Sequence, residues 1–290
     1  MDPERLLLDA GGMTFGALAW GSTDAPLALL IHGYPDSAWT WRHLGPYLAE
    51  RGWRAVAPFT RGYAPTDLAP DDSYFAADQA GDILDLHTAL GGDERAVLVG
   101  HDWGALATWT VTATEPGRFA RYVTMALPPP YTLLKPATSV KTLGVAARQL
   151  RMSWYFAYNQ LPGTERTLDK VIPKHWRDWS PGYDATEDLE HVFDALCEPR
   201  RRRAALRYYR NNLTRGLLDT FAVKAGAPAL SLHGERDGCI QAELGTLYPE
   251  SRVPGSRYVR VPDAGHFLHL EQPEKVNGLI GDWVGTAPQA

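Results

Sequence analysis

The chain has 290 residues and a formal net charge of −5, from 29 Lys+Arg against 34 Asp+Glu. A hydrophobic share of 44% beside 22% charged residues is typical of a globular protein and excludes collagen-like and disordered chains. The small acidic excess predicts no general affinity for nucleic acid or anionic membranes, and the apolar runs are far shorter than the roughly 20 residues that span a bilayer.

The first half of the chain alternates strand-like and helix-like segments, which predicts an α/β fold with a mostly parallel sheet flanked by helices. Continuous apolar runs predict buried strands, and helical spacing of apolar residues predicts the helices between them. In chain order, the predicted elements are strand Leu27–Ile31, helix Trp39–Glu50, strand Trp53–Phe59, helix Tyr74–Leu90, strand Ala96–Val99, helix Ala105–Glu115 and strand Phe119–Leu127.

The pattern changes at the three prolines 128–130, which stop any regular element. From Tyr131 to Phe221 the sequence predicts helices and no buried strand. The α/β pattern then returns with predicted strands at Ala229–His233 and Tyr258–Val261 and a terminal helix at Pro273–Val284. We therefore expect residues 1–130 and 221–290 to form the α/β core, and residues 131–220 to form a helical lid, or cap, inserted over it.

The segment Val99–Ala105 (VGHDWGA) joins a predicted buried strand to a predicted helix. Its Gly-x-Asp-x-Gly pattern has the spacing of a nucleophile elbow, with Asp102 where many enzymes carry serine. Such a turn is strained, and its small neighbours let the strand and helix approach closely. Taken alone, the motif fits equally well a turn whose aspartate caps the helix.

Two later segments add an acid and a histidine. Asp237 and His266 each follow a predicted strand, so with Asp102 they are expected at the carboxyl ends of strands, where open α/β sheets place their sites. The order Asp102, Asp237, His266 is the order nucleophile, acid, histidine of an elbow-bearing sheet. Spacing alone leaves rivals for the last two roles, namely Glu235, Asp263 and His269.

The loop His32-Gly33-Tyr34-Pro35 follows the strand Leu27–Ile31, at the position where this kind of fold builds an oxyanion hole. One donor is the backbone N–H of the residue after the nucleophile, here Trp103. We assign the other to the N–H of Tyr34, because Pro35 has none.

An aspartate nucleophile indicates a particular chemistry. A carboxylate is already ionised at neutral pH and displaces a leaving group at a saturated carbon, which gives an ester of Asp102. His266, oriented by Asp237, then activates water against that ester. The natural substrate classes are epoxides and alkyl halides, which differ because a departing epoxide oxygen needs a proton donor.

Tyrosines of the predicted cap are candidates for that donor, because a phenol can protonate an alkoxide. Tyr155 in SWYFAYNQLPG and Tyr209 in LRYYRNN are the first choices. Their neighbours Tyr158 and Tyr208 are not excluded by spacing, and aromatic residues on such helices most often serve only packing.

Five segments, HGYPDSAWTWR, GHDWGA, SWYFAYNQLPG, RYYRNN and DAGHFLHLEQPE, together resemble the epoxide hydrolases of the α/β-hydrolase superfamily over nearly the whole chain. The resemblance implies the α/β-hydrolase fold and hydrolysis of an epoxide to a vicinal diol. By motif, it implies Asp102 as nucleophile, Asp237 as acid, His266 as base, Tyr155 and Tyr209 as the cap tyrosines, and Tyr34 and Trp103 as oxyanion donors. Haloalkane dehalogenases share part of the motifs and the same nucleophile, and they are the alternative.

The mechanism needs only water, so we expect no cofactor and no metal. Cys197 and Cys239 lack the spacing of a zinc site and cannot make a disulfide framework. The N-terminal segment has no apolar core of a signal peptide, which predicts a cytoplasmic protein. The expected partners are a small apolar epoxide and water, with no nucleic acid and no membrane span, in a monomer or homodimer.

Overall fold

The structure, a computed structural model, describes residues 1–135, 138–214 and 217–288. Residues 136–137 and 215–216 of the predicted helical stretch lie outside the described residues. Eight strands of the described part form one sheet in the order β1-β2-β4-β3-β5-β6-β7-β8. They are β1 (Glu4–Ala10), β2 (Met13–Trp20), β3 (Leu27–Ile31), β4 (Arg54–Pro58), β5 (Val97–His101), β6 (Arg121–Met125), β7 (Ala229–Gly234) and β8 (Arg257–Val261).

Strands β3 to β8 all run parallel, as the alternation of strands and helices predicts. The central strands β3 and β5 are buried along their whole length, because helices cover both faces of a parallel sheet. The predicted α/β class and the mostly parallel sheet are thereby confirmed, and nine of the ten predicted strands and helices have a counterpart in the structure, the exception being one helix.

An antiparallel hairpin of β1 and β2 extends one edge of the sheet and was not predicted. Gly11 and Gly12 form its two-residue turn with positive φ of +56° and +78°, which glycine adopts without steric cost. Because residues 6–8 are all leucine, the sequence of β1 lacks the apolar/polar alternation that predicts a half-exposed strand. In the structure Leu7, the middle leucine, is 72% exposed.

The exception is the predicted helix Trp39–Glu50, which is wrong as a single element. A 3-10 turn at Ala38–Trp41 precedes a separate helix at Leu44–Ala49. Pro46 lies in the first turn of that helix, where a missing backbone N–H breaks no hydrogen bond within the helix. The helices of the described part are α1 (Leu44–Ala49), α2 (Ala76–Ala89), α3 (Trp103–Thr114), α4 (Val140–Met152), α5 (Trp154–Gln160), α6 (Leu168–Trp179), α7 (Thr186–Ala195), α8 (Pro199–Thr214), α9 (Leu217–Phe221), α10 (Leu244–Leu247), α11 (Leu268–Glu271) and α12 (Pro273–Val284). None of these helices is long and apolar enough to cross a membrane.

The described residues between β6 and β7 form helices and no strand, and we call residues 131–221 the helical insertion. Arg42, ahead of α1, pairs with the buried Asp188 of α7 at 2.5 Å. Trp176 of α6 donates its indole N–H to the carbonyl oxygen of Pro35 at 2.9 Å and stacks on Phe267. These contacts hold the insertion against the loops at the carboxyl edge of the sheet, where the predicted site residues lie.

Candidate active site

Asp102 stands in the sharp turn between β5 and α3, with φ +53° and ψ −117°, a conformation that is costly for a residue other than glycine. Two glycines make the turn possible. A Cβ on Gly100 would lie 2.3 Å from the carbonyl oxygen of Gly104, and a Cβ on Gly104 would lie 2.2 Å from that of Ile31. The strained elbow that the motif predicts is therefore present, and it presents Asp102 at the carboxyl end of the sheet.

The loop after β3 reaches over this elbow. The backbone N–H of Tyr34 donates to Asp102 Oδ1 at 2.8 Å. A Cβ on Gly33 would lie 2.4 Å from the same oxygen and 2.6 Å from the backbone nitrogen of Trp103, so only glycine leaves room here. The two predicted oxyanion donors thus both adjoin the nucleophile.

His266 lies between two carboxylates. Its Nδ1 is 3.0 Å from Asp237 Oδ2, and its Nε2 is 3.5 Å from Asp102 Oδ2. The other oxygen of Asp237 accepts the backbone N–H groups of Cys239 and Ile240 at 2.7 and 3.0 Å, which fixes the carboxylate. The structure therefore brings together the three side chains that the sequence singles out.

The charges of this group reinforce one another. Burial by itself lowers the pKa of His266, but the adjacent carboxylates of Asp237 and Asp102 outweigh it and raise the pKa to about 10. Burial likewise opposes the charge of Asp237, yet the neighbouring imidazole holds the pKa of that carboxyl well below its usual range. In the free protein an imidazolium ion accordingly lies between two carboxylates.

The rival candidates lie elsewhere. Glu235 and Asp263 are exposed, and each pairs with a surface arginine. His269 is buried, with Nε2 2.5 Å from the hydroxyl of Thr40 and its ring stacked on Trp41. Of the acids and histidines left open by spacing, only Asp237 and His266 contact each other beside the elbow.

The four candidate tyrosines separate into two pairs. Tyr155 and Tyr209 line the same cavity as Asp102, and their rings pack edge to face with centroids 5.7 Å apart. Tyr158 instead hydrogen-bonds the hydroxyl of Thr167 at 2.7 Å, and Tyr208 donates to the carbonyl oxygen of Arg61 at 2.8 Å. Geometry thus favours the pair that the motifs put first.

The cavity has a volume of about 430 Å³, within the range of small-molecule sites. The α/β core and the helical insertion both contribute to its wall. The wall is largely apolar, with side chains that include Leu106, Leu127, Leu134, Phe156, Leu213 and Phe221. Such a pocket suits an apolar molecule and restricts water.

Two residues that were not predicted also contact the site. His233 Nε2 lies 2.8 Å from the carbonyl oxygen of Ile240 and 3.1 Å from Asp237 Oδ2, so it is a second imidazole on the same carboxylate. Cys239 Sγ lies 3.1 Å from the hydroxyl of Tyr155. Both flank Asp237 in the segment HGERDGCI, but their inward orientation depends on how the loop after β7 folds.

Two groups of buried side chains in the described part bring three potential metal ligands within 4.8 Å of one another. They are Asp36 with His101 and His269, and Asp102 with Cys239 and His266. Neither group is visible as spacing in the sequence, because its members come from separate segments of the chain.

Comparison with known proteins agrees with this architecture. The family model for the alpha/beta hydrolase fold matches residues 26–273. AB hydrolase superfamily protein YfhM of Bacillus subtilis (strain 168) is 29% identical over 96% of this chain and 96% of that protein, and Epoxide hydrolase 2 of Siraitia grosvenorii is 32% identical over 97% and 98%. The crystal structure of Epoxide Hydrolase A from Mycobacterium thermoresistibile superposes with a TM-score of 0.78 at 25% identity, over 99% of this chain and all of the other.

The fold, the elbow and the family match define a hydrolase of the α/β-hydrolase superfamily. Within that superfamily, the identity over nearly the full length of both chains shows that the protein belongs to the epoxide hydrolases. The family to which the sequence motifs pointed is thereby confirmed.

Proposed function

We propose that the protein opens an epoxide to a vicinal diol through a covalent ester of Asp102. The observation that carries the proposal is a carboxylate at the elbow, held by the N–H of Tyr34, with His266 on one side and two cavity-lining tyrosines above it. A serine at this position would indicate acyl transfer, whereas a carboxylate suits displacement at a saturated carbon.

In the first step an oxygen of Asp102 attacks one epoxide carbon, and the bond from that carbon to the epoxide oxygen breaks. Tyr155 or Tyr209 gives its proton to the oxygen as it leaves. Burial raises the pKa of both phenols well above the usual value, so both are fully protonated donors before substrate binds. The resulting tyrosinate recovers a proton from the imidazolium of His266.

Formation of the ester prepares the second step. The negative charge of Asp102 is one of the causes that raise the pKa of His266, and esterification removes that charge. The imidazole therefore loses its proton more readily in the ester than in the free enzyme, and Asp237 keeps it oriented.

In the second step neutral His266 takes a proton from water, and the hydroxide adds to the ester carbonyl of Asp102. The backbone N–H groups of Tyr34 and Trp103 stabilise the oxyanion. The diol oxygen leaves with the proton from His266, and the acid that remains on Asp102 returns a proton to the imidazole. One water and one epoxide thus give one diol, and the enzyme is restored.

We further propose that residues 131–220 act as a cap on a core of residues 1–130 and 221–290. Support comes from the cavity, to which the helical insertion contributes Tyr155, Phe156 and Tyr209 while the core contributes Asp102. The substrate class consistent with this wall is a small, largely apolar epoxide.

The experiment is to trap the ester. His266→Ala removes the base, so treatment with an epoxide should leave an adduct on Asp102 whose mass equals the whole epoxide, because the first step loses no atoms. Asp102→Ala is the control and should give no adduct. A bromoalkane that leaves only its alkyl group on the protein would support the dehalogenase instead, and an unmodified protein that still binds epoxide would rule out covalent catalysis. A panel of styrene-type, aliphatic and fatty-acid epoxides, with diol detection, defines the substrate class.

A further inference from the structure

We propose that Asp102, Cys239 and His266 also form a site for Zn²⁺ or another thiophilic divalent cation, which holds the enzyme inactive while it is bound. A carboxylate oxygen, a thiol sulfur and an imidazole nitrogen of these three buried residues lie within 4.8 Å of one another. Cysteine, histidine and aspartate are the side chains that bind zinc in proteins. Three such ligands leave the fourth position of a tetrahedral ion for water from the cavity.

The spacing requires little movement of the protein. A tetrahedral zinc site with ordinary bond lengths separates its ligand atoms by about 3.3–3.6 Å. The distance from Asp102 Oδ2 to His266 Nε2 is already 3.5 Å. The sulfur of Cys239 lies at most 4.8 Å from the other two ligand atoms, so it has to approach them by no more than about 1.5 Å.

His266 has the arrangement of a metal-binding histidine. Its Nδ1 is held by Asp237 at 3.0 Å, while its buried Nε2 makes no polar contact closer than the 3.5 Å ion pair with Asp102 among the described residues. Metal-ligating histidines usually place their other ring nitrogen on a carboxylate or carbonyl group, which fixes the ring and raises its basicity. That nitrogen faces Asp102, the second proposed ligand, so a cation would take the place of its proton between the two side chains.

Cys239 supplies the soft ligand. Its thiol is buried and lies 3.1 Å from the hydroxyl of Tyr155, beside the cavity through which an ion would enter. A bound cation displaces the thiol proton and the proton on His266 Nε2, so up to two protons leave for each ion bound. Thiolate and carboxylate then balance the double positive charge, as a buried site requires.

The metal would occupy the nucleophile and the base of the proposed reaction at once. Zinc and epoxide therefore exclude each other, and zinc inhibits competitively and reversibly. This inhibitory role rests on the proposed function, whereas binding of the metal does not.

The test is a Co²⁺ titration of metal-free protein, because a thiolate bound to cobalt gives a sulfur-to-cobalt absorption in the near ultraviolet. The proteins are the wild type, Cys239→Val, Cys239→Ser and Cys197→Ser, which removes the other, exposed cysteine. We expect saturation at one equivalent in the wild type and Cys197→Ser. Both variants at Cys239 should lose the absorption and bind Co²⁺ at least about tenfold more weakly, with circular dichroism checking that each is folded.

A wild type without the absorption, or Cys239 variants that keep it, would overturn the proposal. Loss of the absorption in Cys197→Ser would also overturn it, because the metal would then sit on the surface cysteine. A second arm measures Zn²⁺ inhibition of epoxide hydrolysis, with each variant normalised to its own rate. We expect competitive inhibition that Cys239→Val weakens at least about tenfold, and cobalt binding without such inhibition would refute the inhibitory role. If no epoxide is hydrolysed, the cobalt arm still decides the metal site, so the two failures are distinguishable.

Discussion

Replacing tyrosines by phenylalanine one at a time separates catalytic hydroxyls from structural ones. Tyr155→Phe and Tyr209→Phe keep rings that pack against each other and remove only the oxygen that would protonate the departing epoxide oxygen. Loss of one preorganised donor costs about 2.7–4 kcal/mol of transition-state stabilisation, or about 10²–10³ in kcat. Stability should change little for Tyr155→Phe, because its hydroxyl loses one weak contact, to the sulfur of Cys239 at 3.1 Å.

The chain supplies matched controls for this experiment. Tyr158→Phe loses a 2.7 Å hydrogen bond to Thr167, and Tyr208→Phe loses a 2.8 Å bond to the carbonyl oxygen of Arg61. Each loss should lower the free energy of unfolding by about 0.5–1.5 kcal/mol, while the rate of diol formation stays within about twofold. The control variants are thus expected to lose stability at a nearly constant rate, whereas the cavity variants are expected to lose rate at nearly constant stability.

The assays are diol formation under single-turnover conditions and urea unfolding. In the cavity variants the alkylation step should slow while breakdown of the ester does not, because the tyrosines act on the epoxide oxygen. A loss of rate in Tyr158→Phe or Tyr208→Phe as large as that in the cavity variants would refute a catalytic role for the hydroxyls of Tyr155 and Tyr209. A double variant at Tyr155 and Tyr209 that keeps more than about a tenth of the wild-type rate would refute the same role. Halide release from bromoalkanes that survives in that double variant would indicate a dehalogenase.

Three further predictions concern the loop over the elbow, the attachment of the insertion and the charge of the site. Gly33→Ala places a methyl group 2.4 Å from the carboxylate of Asp102 and should lower kcat about 10²–10³-fold. The control Gly81→Ala, with open space around it, should raise the free energy of unfolding by about 0.4–1 kcal/mol at unchanged kcat. Equal activities of the two variants would contradict the assignment of the loop. Asp188→Ala leaves the half-buried Arg42 without its 2.5 Å partner and should lower the free energy of unfolding by about 1–3 kcal/mol, and an unchanged urea midpoint would count against that attachment. Because the pKa of His266 is raised to about 10, protonated His266 contributes fully to stability below about pH 6.5, the pKa of an ordinary histidine, and this contribution is lost as the pH rises to about 10. The free energy of unfolding of the wild type should therefore fall by on the order of a few kcal/mol over that window. An equal fall in His266→Gln would exclude His266 as the cause.

The fold was predictable to the extent that each strand is buried on both faces. β3 has the predicted bounds Leu27–Ile31, because a strand covered on both sides must be apolar throughout. The hairpin at the edge of the sheet was missed because its outer strand shows neither a long continuous apolar run nor a strict apolar/polar alternation. The exposed Leu7 stands where alternation would place a polar residue. The glycine pair at its turn was the available signal.

The site was predictable to the extent that chain order dictates it. Strand ends of a parallel sheet meet at one edge, so Asp102, Asp237 and His266 had to approach one another once the strands were identified. The rule that strand ends meet at one edge does not predict the contacts of His233 and Cys239. These two residues lie at the site because of how the single loop after β7 folds. Their contacts depend on side-chain direction over distances of about 3 Å, which composition and spacing do not encode.

The proposed chemistry divides between the two parts of the chain in a way that bears on selectivity. Asp102, His266 and the N–H of Tyr34 belong to the sheet and its loops, and in the proposed mechanism they form the ester at a saturated carbon and hydrolyse it. Tyr155 and Tyr209 come from the helical insertion and serve only a leaving group that needs a proton. An alkyl halide needs no such donor, so the proposed mechanism assigns the choice of leaving group to the insertion and ester hydrolysis to the core. Substitutions in the insertion should therefore change which bond is broken first, while substitutions around Asp102 should change whether the ester is ever released.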